Sequence, residues 1–282
     1  MLNWASQFDI LVFLDSNSYT SAPGKYECIL AAGKAHTNYT EDGGEGYDKL
    51  QHLQRQHDQQ KDWMFGHIGY DFKNELEPKL FSRHEVNTGF SPFEFFVPET
   101  VVYIGREQPM LTIETYGNAD SILDEIKAAV ALPVAQAIPR LQFESRMGKS
   151  EYLENIERLR QHIAQGDCYE INYCKEGFCK SVSIDPLQVF RALNELSPAP
   201  FAAYYRNGNR YMMCASPERY LRKTGSQLLS QPIKGTAGRG ADKAADDVKK
   251  TELRNSIKEQ AENVMITDLT RNDLSRVCET GS

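Results

Sequence analysis

The chain has 282 residues, of which 40% are hydrophobic and 25% charged, and its formal net charge is −7. This composition predicts a globular protein of one large or two ordinary domains and excludes a disordered or fibrous chain. The acidic balance, with both signs mixed along the chain, argues against a nucleic-acid surface and favours small-molecule ligands. The six cysteines form no Cys-x-x-Cys pair, which favours reduced thiols over a zinc or thioredoxin motif. Because no signal-like segment and no apolar run of membrane-spanning length occurs, we expect a cytoplasmic location.

Residues 1–132 form a predicted N-terminal β-rich subdomain. The strand-like runs between turn residues are Phe8–Leu14, Tyr26–Ala32, Trp63–Tyr70, Phe95–Gly105 and Met110–Tyr116. Two helices are predicted, over Tyr47–Gln59 and over Asn118–Ala131, the second capped by Asn118 or Asp120. The stretch 133–149, which contains two prolines and little periodicity, is predicted to connect this subdomain to the next one.

Residues 150–282 form the second predicted subdomain. A helix begins at Ser150, with Gly166 as its C-terminal cap, and Cys168–Cys174 alternates like a strand with one wet face. Asp185-Pro186 begins another helix. Two hairpins are predicted at Phe201–Arg206 with Arg210–Ala215 and at Tyr220–Lys223 with Gln227–Ile233, and a single long helix over Asp246–Ile266. Together these elements predict that the second half is a set of helices with an antiparallel meander, and not a βαβ repeat.

The second hairpin separates two short motifs that carry reactive side chains. Glu218 lies in Ser216-Pro217-Glu218-Arg219, before the first strand, and Lys234 lies in Pro232-Ile233-Lys234-Gly235-Thr236, after the second. Since the ends of a hairpin meet, the prediction places Glu218 close to Lys234. Most lysines lie at the surface with a solvated amine, and this is the alternative interpretation of Lys234 when it is considered alone.

A third motif begins at Ala261-Glu262-Asn263, where Glu262 lies at the edge of the apolar stripe of the predicted long helix. A carboxylate there requires a positive partner, so Glu262 either pairs with an Arg or Lys or holds a metal. Asp268, Arg271 and Asp273 are interpreted as a salt-bridge cluster at the helix end.

Two familiar motifs are excluded. The glycines at 235, 238 and 240 do not follow the Gly-x-Gly-x-x-Gly order, and no Gly-Lys-Ser/Thr occurs, which argues against a nucleotide phosphate loop. The six histidines show no His-Glu-x-x-His spacing, which argues against a transition-metal site.

The motifs together resemble the chorismate-utilising enzymes, and within them the component I chains of aminodeoxychorismate synthase. Pro-Ile-Lys-Gly-Thr at 232–236 is the most specific part of the resemblance. The supporting segments, in the family's order, are 166–172, 216–219, 261–266 and 268–273, with fainter similarity at 13–16 and 66–71. Ala237-Gly238 stands where the family more often has Arg-Pro, and Glu170 where Gln is usual.

The resemblance implies an α+β fold in which antiparallel β-sheets pack as a sandwich with flanking helices. It also implies a chemistry for these residues. It implies that Lys234 attacks ring carbon 2 of chorismate as the hydroxyl leaves carbon 4, after which ammonia adds at carbon 4 and expels the lysine. It further implies that Glu218 is the general acid, that Gly235 and Thr236 help to seat the substrate, and that Glu262 is a ligand of Mg2+. The ammonia would come from a glutaminase partner, in the para-aminobenzoate branch of folate synthesis.

Two alternatives stay open at this point. Anthranilate synthase component I chains resemble this one but carry alanine where Lys234 stands, and a catalytically inactive scaffold subunit would share the same motifs. Members of the family continue beyond the position of Ser282 with a histidine, a Gly-Ala-Pro-Lys turn and a second magnesium carboxylate. We therefore expect either that the full protein is longer or that this form is truncated and cannot turn over.

A ligand pocket is also implied in the N-terminal sheet. The segments Leu14-Asp15-Ser16 and Ser197-Pro198-Ala199-Pro200-Phe201 resemble two that line a tryptophan pocket in related chains. Ser16, Pro200 and Phe201 are its candidate residues, and the alternative is that Leu14 and Phe201 simply pack two sheets together.

Overall fold

The computed structural model describes residues 1–19, 24–34, 36–39, 46–77, 79–80, 87–129 and 140–282, with the backbone alone at 36–39. The strands are β1 (Ile10–Asp15), β2 (Tyr26–Ala32), β3 (His36–Tyr39), β4 (Phe65–Ile68), β5 (Phe93–Val97), β6 (Thr100–Gly105), β7 (Leu111–Thr115), β8 (Glu144–Ser145), β9 (Gly177–Phe178), β10 (Phe201–Asn207), β11 (Arg210–Ser216), β12 (Arg219–Thr224) and β13 (Gln227–Gln231). The helices are α1 (Leu2–Ala5), α2 (Tyr47–Gln60), α3 (Lys73–Leu76), α4 (Ala119–Ala128), α5 (Lys149–Gln165), α6 (Pro186–Leu196), α7 (Lys243–Asn255) and α8 (Ile257–Ser275), and a 3-10 turn covers Tyr70–Phe72.

The main sheet has six strands in the order β11-β10-β1-β2-β6-β7, and each neighbouring pair is antiparallel. A second sheet has the order β3-β5-β4 and is also antiparallel. Strands β12 and β13 form a separate hairpin, and β8 pairs with β9. The predicted α+β class with antiparallel sheets is confirmed.

A hydrophobic core joins the six-stranded and three-stranded sheets face to face. The six-stranded sheet contributes Ile10, Val12 and Val101, and the three-stranded sheet contributes Phe65 and Phe96. The opposite face of the six-stranded sheet is buried as well, at Leu11, Leu30 and Val102. Central strands that are covered on both faces read as continuous apolar runs, which explains the pattern Ile-Leu-Val-Phe-Leu of β1.

By its contacts the chain divides into two units, one formed by 1–131 with 193–282 and the other by 132–192. The first unit contains both large sheets and all the candidate site residues named above. The predicted division into 1–132, 133–149 and 150–282 stays a prediction, and residues 130–139 of it lie outside the described residues. Within the described part of the chain, no helix combines the length and apolarity needed to cross a bilayer.

Most predicted caps and turns are confirmed. Asn118 caps α4 through its side chain, which accepts from the Ser121 N–H at 2.9 Å. Gly166 ends α5 in the left-handed conformation, with φ of 82°. Asp185 accepts from the N–H of Leu187 at the start of α6, where Pro186 is the first helical residue.

Three predicted elements are wrong. The run Phe95–Gly105 is two strands, β5 and β6, which belong to different sheets. Cys168–Cys174 contains no strand, and its apolar residues Tyr169 and Ile171 are exposed. The single helix over Asp246–Ile266 is two helices, α7 and α8, separated at Ser256, whose backbone is extended. The Ser256 hydroxyl accepts from the Glu259 N–H at 3.4 Å and so begins a new helix.

Candidate active site

The hairpin of β12 and β13 positions the two reactive motifs, and its prediction is confirmed. Thr224 pairs with Gln227 across a two-residue turn at Gly225-Ser226, and Arg219 pairs with Gln231 at the open end. Gly225 has φ of 58°, which a glycine adopts without strain. The hairpin therefore returns the chain to the level of Glu218 just before Lys234.

Glu218 contacts the backbone of the lysine motif directly. Its Oε1 accepts from the N–H of Ile233 at 3.3 Å, and the Ser216 hydroxyl accepts from the Glu218 N–H at 3.3 Å. The Glu218 side chain is exposed and Lys234 is half-buried. The Glu218 carboxylate thus contacts Ile233, the residue that directly precedes Lys234. The catalytic roles of Glu218 and Lys234 stay predictions.

Gly235 lies against helix α8. Its φ is 83°, and a Cβ placed on it would lie 2.5 Å from Oε2 of Glu259. The Glu259 side chain is mostly buried, with 22% of its surface exposed. Because of this close approach, the lysine motif and α8 share one site, and Thr236 lies beside it with its side chain exposed.

Helix α8 supplies two carboxylates to this site. Glu262 forms an ion pair with Lys258, at 3.2 Å between Oε1 and Nζ, and Lys258 lies 3.4 Å from Oε1 of Glu259. The hydrogen bonds to Glu262 and Glu259 raise the pKa of Lys258. The positive partner that Glu262 was expected to need is therefore Lys258, one helical turn away.

The structure places Asp268 and Arg271 further along the same helix. They form an exposed ion pair at 2.7 Å, which confirms the salt-bridge interpretation for these two of its three residues.

Glu259 was not among the predicted site residues, although a signal was present. Glu259 precedes Glu262 by three residues, and residues three apart lie on one face of a helix.

Pro200 and Phe201 line a cavity of about 530 Å3 next to the lysine motif, whose wall also includes Pro232 and Ile233. The guanidinium of Arg219 lies 4.7 Å from the centre of the Phe201 ring and donates to Oε1 of Gln231 at 3.0 Å. Burial lowers the pKa of Arg219, as do Arg222 and Arg106. The cavity therefore has the size of a small-molecule pocket, and Arg219 is the cationic residue in its lining.

Ser16 is buried outside the lining of that cavity, at the end of β1. The neighbouring Asn17 joins the same strand end to the cavity wall, since its side-chain amide donates to the Ala199 carbonyl at 2.8 Å. Leu14 is partly exposed, so the alternative in which Leu14 and Phe201 only pack two sheets together does not fully describe this residue. Binding of tryptophan at Ser16, Pro200 and Phe201 stays a prediction.

The fold and the motifs define a chorismate-utilising enzyme, and comparison with known proteins agrees. Residues 15–282 match the family model described as chorismate binding enzyme. The chain belongs to the chorismate binding enzyme family.

Curated relatives carry more specific names. The chain is 30% identical to aminodeoxychorismate synthase component 1 of Klebsiella aerogenes, over 77% of this chain and 48% of that one. It is 33% identical to the chloroplastic aminodeoxychorismate synthase of Arabidopsis thaliana, over 77% of this chain and 26% of that one. The chain therefore spans about half the length of the bacterial relative and a quarter of the plant one.

Solved structures share the fold. Anthranilate synthase component I from Streptococcus pneumoniae superposes with a TM-score of 0.66 at 19% identity, over 89% of this chain and 54% of that one. The menaquinone-specific isochorismate synthase of Escherichia coli superposes with a TM-score of 0.61 at 15% identity, over 95% of this chain and 58% of that one.

Proposed function

We propose that this chain carries out the aminodeoxychorismate synthase reaction, in which chorismate and ammonia give 4-amino-4-deoxychorismate for para-aminobenzoate and folate synthesis. The observation that carries the proposal is the bond from the Ile233 N–H to the Glu218 carboxylate, which holds an acid beside the lysine of the motif. The names of the curated relatives support the choice of reaction.

In the proposed mechanism Lys234 is the nucleophile. Its neutral amine forms a bond to ring carbon 2, both ring double bonds shift, and the bond from carbon 4 to the hydroxyl breaks. Glu218 gives the proton with which that hydroxyl departs as water. Ammonia then forms a bond at carbon 4, both double bonds shift back, and the bond from carbon 2 to the Lys234 nitrogen breaks. Lys234 is half-buried, so its amine lies partly shielded from solvent beside the Glu218 motif.

Magnesium is the implied cofactor, and the donor set of α8 fits it in part. Glu262 and Glu259 supply hard carboxylate oxygens on one face of the helix, and magnesium is often held by one or two carboxylates with water and substrate. Among the described residues no group of three or more potential metal ligands occurs. When bound, Mg2+ would neutralise a substrate carboxylate. Lys258, which now bridges both glutamates, would have to yield one of them.

A glutaminase partner would supply the ammonia. The relatives' designation as component 1 supports a second component, and the amination step consumes one ammonia for each chorismate. Gly235 and Thr236 would seat the substrate beside Lys234.

The test is product identification after incubating the purified full-length protein with chorismate, ammonia and Mg2+. We expect 4-amino-4-deoxychorismate by mass, and a loss of at least about 100-fold in Lys234→Ala, in the range of a lost nucleophile. Lys223→Ala, at an exposed lysine of β12, is the matched control and should keep full activity.

Each alternative predicts a different result. Anthranilate as product would identify the anthranilate synthase reaction, and binding of chorismate with no product would identify a scaffold subunit. Undiminished turnover by Lys234→Ala would refute the covalent mechanism but leave the reaction class standing.

A further inference from the structure

A second cavity, of about 700 Å3, lies in the same unit between the C-terminal half of α2 and the β5 and β7 strands. Its apolar lining includes Leu53, Met64, Phe95 and the indole of Trp63. None of these residues belongs to the candidate active site. A volume of this size is that of an ordinary small-molecule pocket.

The indole of Trp63 is fixed in place. Its Nε1 donates to Oε2 of Glu114 at 2.6 Å, and its ring stacks on Phe65 with 5.9 Å between ring centres and 15° between planes. The ring also contacts Tyr26 and Tyr103 at 5.7 and 5.9 Å. An aromatic wall held by so many contacts is pre-organised for a ligand.

Two carboxylates flank this indole. Glu114 accepts from Trp63 and, through Oε1, from the Tyr103 hydroxyl at 2.9 Å. Asp62 accepts from the backbone N–H of Trp63 at 2.6 Å and from the hydroxyl of Tyr116. Every one of these donors is neutral. In the part of the chain that the structure describes, no ion pair is formed by Asp62 or Glu114.

The tyrosine donors keep the two carboxylates oriented. The hydrogen bond to Glu114 raises the pKa of Tyr103, and the hydrogen bond to Asp62 raises the pKa of Tyr116. Both phenols therefore remain protonated donors at neutral pH. The negative charge of each carboxylate is held in place but is not neutralised by them.

The cavity also has two basic residues, His57 and Lys61, at the end of α2. Within the residues that the structure describes, neither of them forms an ion pair with Asp62 or Glu114, and both carboxylates accept from neutral donors. The last carbonyls of a helix carry partial negative charge, which favours a cation at the same end. The charged groups that hydrogen-bond Trp63 directly are the two carboxylates.

We propose that this cavity binds an organic ammonium ion with a flat apolar body, which stacks against Trp63 while its charged nitrogen meets Glu114 and Asp62. An indole face attracts a cation, and the carboxylates supply the ionic partner that their neutral donors do not. The apolar body is accepted by Leu53, Met64 and Phe95. The site does not depend on the proposed reaction at Lys234.

The probe is 2-phenylethylammonium, with 2-phenylethanol as the neutral compound of nearly the same shape. Isothermal titration calorimetry on the unchanged chain measures binding of both. The sequence has two tryptophans, so in Trp4→Phe the fluorescence reports on Trp63 alone. We expect saturable binding of the amine, in the millimolar range or tighter, and affinity for the alcohol lower by about tenfold or more.

Glu114→Gln removes the charge and keeps an acceptor for Trp63 and Tyr103. It should weaken amine binding by about tenfold, whereas Glu107→Gln, at an exposed carboxylate on the turn after β6, should leave binding unchanged. If circular dichroism shows that Glu114→Gln is unfolded, Asp62→Asn takes its place. Equal binding of amine and alcohol, no saturable heat up to about 10 mM, or an unchanged affinity in a folded charge variant would overturn the proposal.

Discussion

Replacement of Lys49 by methionine tests how α2, one wall of the second cavity, is held in place. Lys49 is buried, with 8% of its side chain exposed, and its Nζ lies 2.8 and 3.1 Å from the two carboxylate oxygens of Glu75. The Glu75 carboxylate also accepts from the Gly46 N–H at 3.1 Å. This cluster joins the start of α2 to α3.

The expected cost follows from burial. Removing one partner of a fully buried ion pair costs about 3–5 kcal/mol, because the other charge is left unpaired. Glu75 keeps 23% of its side chain exposed and retains the Gly46 donor, so water and one hydrogen bond offset part of this cost. We expect Lys49→Met to lower the free energy of unfolding by about 2 kcal/mol, and Tm by roughly 4–8 °C.

Urea unfolding followed by circular dichroism measures the effect. Glu75→Gln and the double variant complete a cycle, in which the double variant should lose less than the two single changes added together. Lys127→Met is the control, since Lys127 pairs with Asp124 on an exposed face and should change stability by less than about 0.5 kcal/mol. A Lys49→Met variant as stable as its parent would show that the buried pair contributes nothing.

The same pair gives stability a pH dependence. Burial raises the pKa of Glu75, but the hydrogen bonds from Lys49 and Gly46 outweigh it, so the pKa lies below its ordinary value of 4.5. A carboxyl whose folded pKa is depressed stabilises the fold above its unfolded pKa, and this contribution is lost as the pH falls through the folded value. Below pH 4.5 the wild-type chain should therefore lose stability more steeply than Lys49→Met.

Two further predictions concern single residues. Burial, together with the charges of Asp15 and Glu27, raises the pKa of Cys28 to about 11. Iodoacetamide at pH 8 should therefore label the exposed Cys174 in the native chain, and Cys28 only after unfolding. Equal labelling rates for the two cysteines, measured by mass spectrometry, would contradict this prediction. Gly235→Ala should lower the free energy of unfolding by about 1–2 kcal/mol, the cost of a side chain at positive φ, and should abolish product formation. Gly225→Ala is the control, because a Cβ at that position would meet no atom within 4 Å. It should cost the same stability and keep activity.

The sequence predicted those features whose cause lies within a few residues. The hairpin turns at Gly208 and Gly225, the cap at Asn118 and the stop at Gly166 are local signals, and the structure has each of them. Alternation in one segment, by contrast, predicts a strand only if a partner is present. Cys168–Cys174 alternates correctly but has no partner strand in the described part of the chain.

The break between α7 and α8 was predictable and was overlooked. Ser256 followed by Glu259 is a Ser-x-x-Glu sequence, which is typical of a helix start, and here it interrupts an otherwise continuous helical pattern. The second cavity was not predictable from spacing, because Trp63 and its partner Glu114 are 51 residues apart in sequence. The packing of the three-stranded sheet, which Trp63 precedes, against the six-stranded sheet, which contains Glu114, brings them together.

The break at Ser256 also determines where the carboxylates of the candidate active site lie. Since α8 begins at Ile257, Glu259 falls in its first turn and reaches Gly235, whereas Glu262 falls one turn later and meets Lys258. Any side chain at position 235 would displace the Glu259 carboxylate, because this flexible side-chain end is the part of the contact that can move. The displacement would also disturb the ion pair between Glu259 and Lys258. The geometry around Lys234 therefore depends on a glycine next to it and on a serine 22 positions later, neither of which carries a reactive group. Loss of the Ser256 cap should cost about 1 kcal/mol of helix stability. For the reason just given, it should reduce turnover by more than this loss of stability alone would cause.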